Sequence, residues 1–129
     1  MKYLFVLFTL FFSLQSCHED TSVTVNRVTP QEMRAALLQD ATIQLLDVRT
    51  PTEYEASHLK SAQNICVTDS DFIERAEELD KDKPVYVYCK KGGRSAKASK
   101  ILKELGFTKI YDLNGGITAW DAEGLETEN

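Results

Sequence analysis

VYVYCKKGGRSAKASKILKELG, Val85 to Gly106, runs through three kinds of chain in 22 residues. Val85 to Tyr88 is an apolar and aromatic run of the kind that forms a buried strand. It stops at Cys89. Lys90, Lys91, Gly92, Gly93 and Arg94 follow, and they cannot be core. From there the pattern is helical: Ala98, Ile101, Leu102 and Leu105 share one face, while Lys97, Lys100 and Lys103 lie on the other. Gly106 is a helix stop. A strand, a tight loop and a helix make half of a β-α-β unit.

The same alternation extends in both directions. Upstream, VTVNRV is a short strand pattern. TPQEMRAALLQD then opens a helix with Thr29 as N-cap, Pro30 in the first turn and Glu32 at the third position. Met33, Ala36 and Leu37 fall on one face of it. TIQLLDV reads as a buried strand, and TPTEYEAS repeats the Thr-Pro-x-Glu start at Thr50, Pro51 and Glu53. AQNICV is a further strand, and SDFIERAEELD sets Phe72, Ala76 and Leu79 on one helical stripe. KPVYVYC has Pro84 at its start, where proline is tolerated. Downstream, KIYDL is a last strand and GGITAWDAEG a closing turn of helix. The expected class is α/β: a central parallel sheet of about five strands with helices on both faces. In such sheets ligands bind at the carboxyl ends of strands, beside helix N-termini, and Cys89 falls at such a place.

The loop after Cys89 must turn within four residues if the helix starts near Arg94. Gly92 and Gly93 permit backbone angles that other residues avoid. Several N–H groups can then converge into an anion-binding concavity, with the helix dipole behind it. Lys90, Lys91 and Arg94 add full charges. A thiol in that setting has a lowered pKa, so Cys89 is expected to be an exposed, nucleophilic thiolate. The same N–H groups suit a persulfide, Cys–S–S⁻. The bland reading is a small buried hydrophobe ending a strand. The basic, glycine-rich sequence beside it favours the chemical one.

Three segments together resemble the rhodanese-like family. CKKGGRS matches its cysteine-x-x-glycine-x-arginine-serine loop at Cys89, Gly92, Arg94 and Ser95. LLDVRTPTEYEASHL resembles its aspartate-valine-arginine segment, with Asp47, Arg49, Glu53 and His58. LNGGITAW resembles its closing segment. The resemblance covers about Thr24 to Leu125 and implies a sulfurtransferase. Cys89 would carry sulfane sulfur, taken from a small anionic donor such as thiosulfate and passed to a thiol or cyanide acceptor. The backbone from Lys90 to Ser95 would form the cradle, Lys90, Lys91 and Arg94 would attract the donor, and no metal or organic cofactor is implied. Asp47 and Arg49 would brace the site wall, as an ion pair. Six residues run from Cys89 through Arg94, one fewer than in the related phosphatases and arsenate reductases, and a ring of that size suits one added sulfur. The chain departs from the family at Ser57, at Ser61-Ala62 and at Cys66, where proline is common. Cys66 reads as core filling, or as a partner that forms a disulfide with Cys89 in a thiol redox protein. A non-catalytic binding module is the other alternative, which the retained Cys89, Gly92 and Arg94 disfavour. His58 is expected to be structural, because no Cys or His cluster accompanies it, and Trp120 to pack.

The N-terminus reads separately. MKYLFVLFTLFFSLQSC has Lys2, an apolar stretch from Tyr3 to Phe12, and then Ser-Leu-Gln-Ser-Cys. The stretch is about ten residues, against the ~20 needed to span a bilayer, and fits a secretory signal. LQSC resembles a bacterial lipobox with Cys17 as the lipidated residue. The expected organisation is a signal over 1–16, a tether over 17–23, the rhodanese-like domain over 24–125 and a tail over 126–129. The expected location is the cell envelope, lipid-anchored to a membrane and facing the periplasm. The chain has 129 residues, enough for one domain, and a net charge of −5, which would become −6 after cleavage. That acidic balance argues against a nucleic-acid partner. A monomer is expected.

Overall fold

The computed structural model describes residues 22–129. The signal, Cys17 and most of the tether therefore lie outside the described residues. The described chain alternates strand and helix throughout: β1 (Val25–Val28), α1 (Pro30–Gln39), β2 (Gln44–Asp47), α2 (Pro51–Ala56), β3 (Gln63–Asn64), α3 (Phe72–Glu77), β4 (Val85–Tyr88), α4 (Gly93–Glu104), β5 (Ile110–Leu113) and α5 (Gly116–Ala122). Both Thr-Pro-x-Glu sequences form complete capping boxes. Thr29 accepts from the Glu32 N–H while Glu32 caps the Thr29 N–H, and Thr50 and Glu53 do the same for α2. Each box satisfies donors that the first helical turn leaves free.

The strands form one parallel sheet in the order β1-β5-β4-β2-β3. Side chains alternate across it. Leu46, Val48, Val85, Val87, Cys89 and Ile110 pack on one face, under α3 and α4, with Phe72, Ala76, Ala98 and Leu102. Leu45, Tyr86, Tyr88 and Leu113 pack on the other, against Met33 of α1, Tyr54 of α2, and Ile117 and Trp120 of α5.

The strand order opens the site. From β2 the chain moves outward to β3, and from β4 it moves the opposite way to β5. The connections after β2 and β4 therefore diverge, leaving a crevice at the carboxyl ends of these neighbours. Val48, just past β2, donates its N–H to the Tyr88 carbonyl at 3.1 Å. Cys89 follows directly.

The last four residues are tied to the domain instead of trailing from it. His58 and Glu128 exchange two backbone hydrogen bonds of 2.8 Å, and Trp120 Nε1 donates to the Glu126 carbonyl at 3.0 Å. Trp120 is buried in the core.

Candidate active site

Cys89 sits at the base of the loop and is 1 % exposed, which corrects the expectation of an exposed thiol. The loop from Lys90 to Ser95 folds back over the strand end and turns its N–H groups toward the sulfur. The Gly92 N–H donates to Sγ at 3.0 Å. The Cys89 thiol and the Ser95 hydroxyl lie 3.4 Å apart, and Ser95 Oγ donates to the Gly92 carbonyl at 3.2 Å. Burial alone would push the Cys89 thiol up. The Ser95 hydroxyl, and the backbone N–H groups of Ser95, Gly92 and Lys91, outweigh burial and bring its pKa below the ordinary value. The thiolate character thus comes from aimed donors rather than from water or open charge.

Of the two loop glycines, only Gly92 adopts a glycine-specific conformation, with φ +123°. Its α-carbon faces the Arg27 guanidinium, whose Nη2 lies 3.5 Å from where a side chain would begin. Gly93 has no such angle. It is the first residue of α4, its side-chain direction open, so the turn does not require a glycine there.

Lys90 and Lys91 are exposed at the mouth of the loop. Arg94, expected to face an anionic donor, is instead committed to Glu53. Its Nη1 and Nη2 donate to the two carboxylate oxygens at 2.7 and 2.8 Å. That pair holds Glu53 down at about 2, with Arg94 the main cause, and raises Arg94. Glu53 also accepts from the Thr50 N–H and hydroxyl, at 3.1 and 2.9 Å. One carboxylate therefore ties the N-terminus of α2 to that of α4 across the crevice.

Asp47 and Arg49 form a buried ion pair of 2.6 Å on the opposite side of the sheet from Cys89. Burial works against the guanidinium, and the Asp47 carboxylate more than restores its charge. Arg49 also donates to the Ser57 carbonyl at 2.7 Å and lies over the Tyr88 ring. The pair thus fixes the segment after β2 against β4. His58 stacks on Tyr54, with Nδ1 2.8 Å from the Tyr54 carbonyl. Cys66 is a buried free thiol, its Sγ 3.1 Å from Thr68 Oγ1. Its neighbours Ile65 and Val67 join the core under α3 and α4, and Cys66 is itself buried between them. Among the described residues no group of three or more His, Cys, Asp or Glu side chains could hold a metal.

Two parts of the site escape a reading of the loop alone. The first is the start of α5. Ile117 and Thr118 donate their N–H groups to the carbonyls of Cys89 and Lys90, at 2.9 and 3.1 Å. These bonds turn the carbonyls outward and leave the N–H side of the loop facing the sulfur. The close approach needs Gly116, where a side-chain carbon would fall 2.5 Å from the Lys90 carbonyl. The Gly-Gly of LNGGITAW was the available signal. The second is Asp112 of β5, buried beside Ser95, which no local pattern marks.

Fold and site together define a class: an α/β domain with an activated thiol held in a six-residue anion cradle at a strand end. A family model described as Rhodanese-like domain matches residues 29–123. Over 93 residues, 72 % of the chain, the protein is 41 % identical to YqhL of Bacillus subtilis, covering 70 % of that protein. It is 30 % identical over 93 residues to the thiosulfate sulfurtransferase GlpE of Vibrio cholerae, covering 86 % of it. A rhodanese-related protein from Thermoplasma volcanium superposes with a TM-score of 0.70 at 29 % identity, over 80 % of this chain and 97 % of that one. The chain belongs to the rhodanese-like domain family, and its relatives include sulfurtransferases.

Proposed function

We propose that the protein is a sulfurtransferase that carries sulfane sulfur on Cys89. The thiolate attacks the outer sulfur of thiosulfate or a related anionic donor. A new S–S bond forms, the donor's own S–S bond breaks, and sulfite leaves with the electron pair. A thiol or cyanide acceptor then attacks the terminal sulfur of the persulfide and the Cys89 thiolate leaves. The observation that carries this reading is the Gly92 N–H aimed at Sγ at 3.0 Å, within a cradle that lowers the thiol pKa against its burial. The loop length supports it as well, since a ring of six residues suits one sulfur atom better than a tetrahedral oxyanion. Exposed Lys90 and Lys91 supply the attraction for the donor, while Arg94 keeps the loop in place through Glu53.

The test is an intact mass of the protein from residue 18 onward, with and without thiosulfate, beside Cys89→Ser. A gain of one reducible sulfur by the wild type alone is expected. No gain from thiosulfate or polysulfide would point to a binding module. A Cys66–Cys89 disulfide in its place would point to redox chemistry. We also propose attachment to a bacterial envelope membrane through lipid on Cys17, supported by the LQSC motif. Labelling with a fatty-acid analogue that is lost in Cys17→Ser tests it.

A further inference from the structure

Asp112 of β5 and Arg27 of β1 are register partners on neighbouring strands, so their side chains leave the same face of the sheet. That face is the one under α4, because Asp112 is also paired with Val87 of β4. Opposite charges set side by side in this way would be expected to meet. They do not: Arg27 forms no ion pair among the described residues. Its Nη2 lies instead against Gly92, 3.5 Å from where a side chain there would begin. Arg27 and Asp112 both line a cleft of about 340 Å³, together with Ser99, Lys100 and Lys103 of α4.

The buried part of this lining is polar and unsatisfied. Asp112 is 2 % exposed and Ser99 1 %, and neither Asp112 Oδ1 nor Ser99 Oγ has a hydrogen-bond partner. Leaving such atoms buried and unpaired is costly. Burial pushes the Asp112 carboxyl up, and Ser95 and Arg27 oppose that only in part, so the carboxylate is short of countercharge. The outer part of the lining is the long, exposed side chains of Arg27, Lys100 and Lys103, which can part to admit a ligand. Lys100 and Lys103 also form no ion pair among the described residues. Three cationic groups thus share a cleft with one buried carboxyl and one buried hydroxyl, in a chain whose net charge is −5.

We propose that this cleft binds a small amino dicarboxylate, a molecule with two acidic groups and one ammonium. The ammonium donates to Asp112 and to Ser99 Oγ, the two acceptors that have no donor. The two acidic groups meet Arg27 on β1 and the lysines on α4. Lys100 and Lys103 stand one helical turn apart on one face, so a single carboxylate can accept from both. An inorganic oxyanion would satisfy the cations but set its charge against Asp112, and it brings no ammonium. The volume falls in the range of small-molecule sites. The cleft is separate from the Cys89 cradle and adjoins it where Arg27 meets Gly92, whose N–H donates to Sγ. Binding there does not require Cys89 to carry sulfur, so it stands or falls apart from the proposed function.

The test is calorimetric titration of the full chain, with amide shifts of the isotope-labelled protein to locate the ligand. The probes are glutamate, glutarate, which lacks the ammonium, and γ-aminobutyrate, which lacks one acidic group. Glutamate is expected to bind about tenfold or more tightly than glutarate, the worth of one hydrogen bond to a charged group, and more tightly than γ-aminobutyrate. The shifts are expected at Arg27, Ser99, Lys100 and Asp112. In the isosteric Asp112→Asn the preference for glutamate over glutarate is expected to fall away, and in Ser99→Ala to shrink. No saturable binding of glutamate overturns the proposal, and so does glutarate bound as tightly; both results come from the wild type and need no variant to fold. An Asp112→Asn protein that keeps the full preference overturns it as well. Shifts centred on Lys90 and Lys91 would put the ligand at the mouth of the Cys89 loop, with the same consequence.

Discussion

Adding one methyl group at Gly116 should unseat the Cys89 loop from a position outside it. Gly116 has φ +61°, and a side-chain carbon there would fall 2.5 Å from both the carbon and oxygen of the Lys90 carbonyl and 2.6 Å from the Cys89 oxygen. These neighbours are backbone atoms and cannot rotate away. Alanine at a left-handed angle costs about 1–2 kcal/mol, and overpacking adds about 1–3 kcal/mol. Gly116→Ala should therefore lose about 2–5 kcal/mol, a large share of the 5–15 kcal/mol typical of a domain. At roughly 4 °C per kcal/mol for a domain near this size, Tm falls by about 8–20 °C. Gly124 is the control. Its φ is +69°, with nothing within 4 Å of the added carbon, so Gly124→Ala should show the strain alone, about 1–2 kcal/mol. Urea unfolding of both variants isolates the clash. At a temperature where Gly116→Ala is folded, Cys89 should also alkylate more slowly, because the bonds from Ile117 and Thr118 to the Cys89 and Lys90 carbonyls are displaced. Equal losses in the two variants, with Cys89 reactivity unchanged, would refute the view that α5 shapes the loop.

Other outcomes follow from the same geometry. Asp47→Asn leaves the Arg49 guanidinium buried without its partner and should cost about 3–5 kcal/mol in urea unfolding; a loss below about 1 kcal/mol would mean that Arg49 has swung into water. Glu53 is held at about 2 in the fold against an ordinary 4.5, so between these values the unfolded chain binds more protons and stability rises with pH. This contribution is complete above about pH 4.5 and is lost as pH falls toward 2, and urea midpoints of Glu53→Gln should lose that part of the slope. Tyr88→Phe removes the hydroxyl that accepts the buried Leu59 N–H at 3.1 Å and should cost about 1–3 kcal/mol; a neutral result would mean that the Leu59 N–H finds another acceptor.

Local sequence carried much of the fold because its signals are local. Thr29 and Thr50 start their helices with side-chain bonds spanning three residues, and such spacing is visible in any short window. The helical faces were legible for the same reason. Ala98, Ile101, Leu102 and Leu105 all meet the core under α4. Strand limits were less so: AQNICV keeps only Gln63 and Asn64 in the ladder, and past them a bond from the Val67 N–H to the Val48 carbonyl follows the end of β2. The loop chemistry was legible as residue types and not as directions. Arg94 reads equally well as an anion receptor or as a brace, and it is Glu53, 41 positions away, that makes it a brace.

By itself the sequence determined the alternation of strand and helix, the capped helix starts, the two apolar faces, and the thiol followed by a short basic turn. Each of these is set by neighbours within a few residues, where periodicity and backbone preference act. Only the tertiary structure decided the strand order that opens a crevice between β2 and β4. It also buried Cys89, whose pKa is now a contest between lost water and gathered N–H groups. And it brought the end of β4, Ser95 of α4 and the start of α5 together at one loop. Those groups come from three separate elements, and their effect depends on distance and on the exclusion of water, neither of which is written in any single stretch of chain.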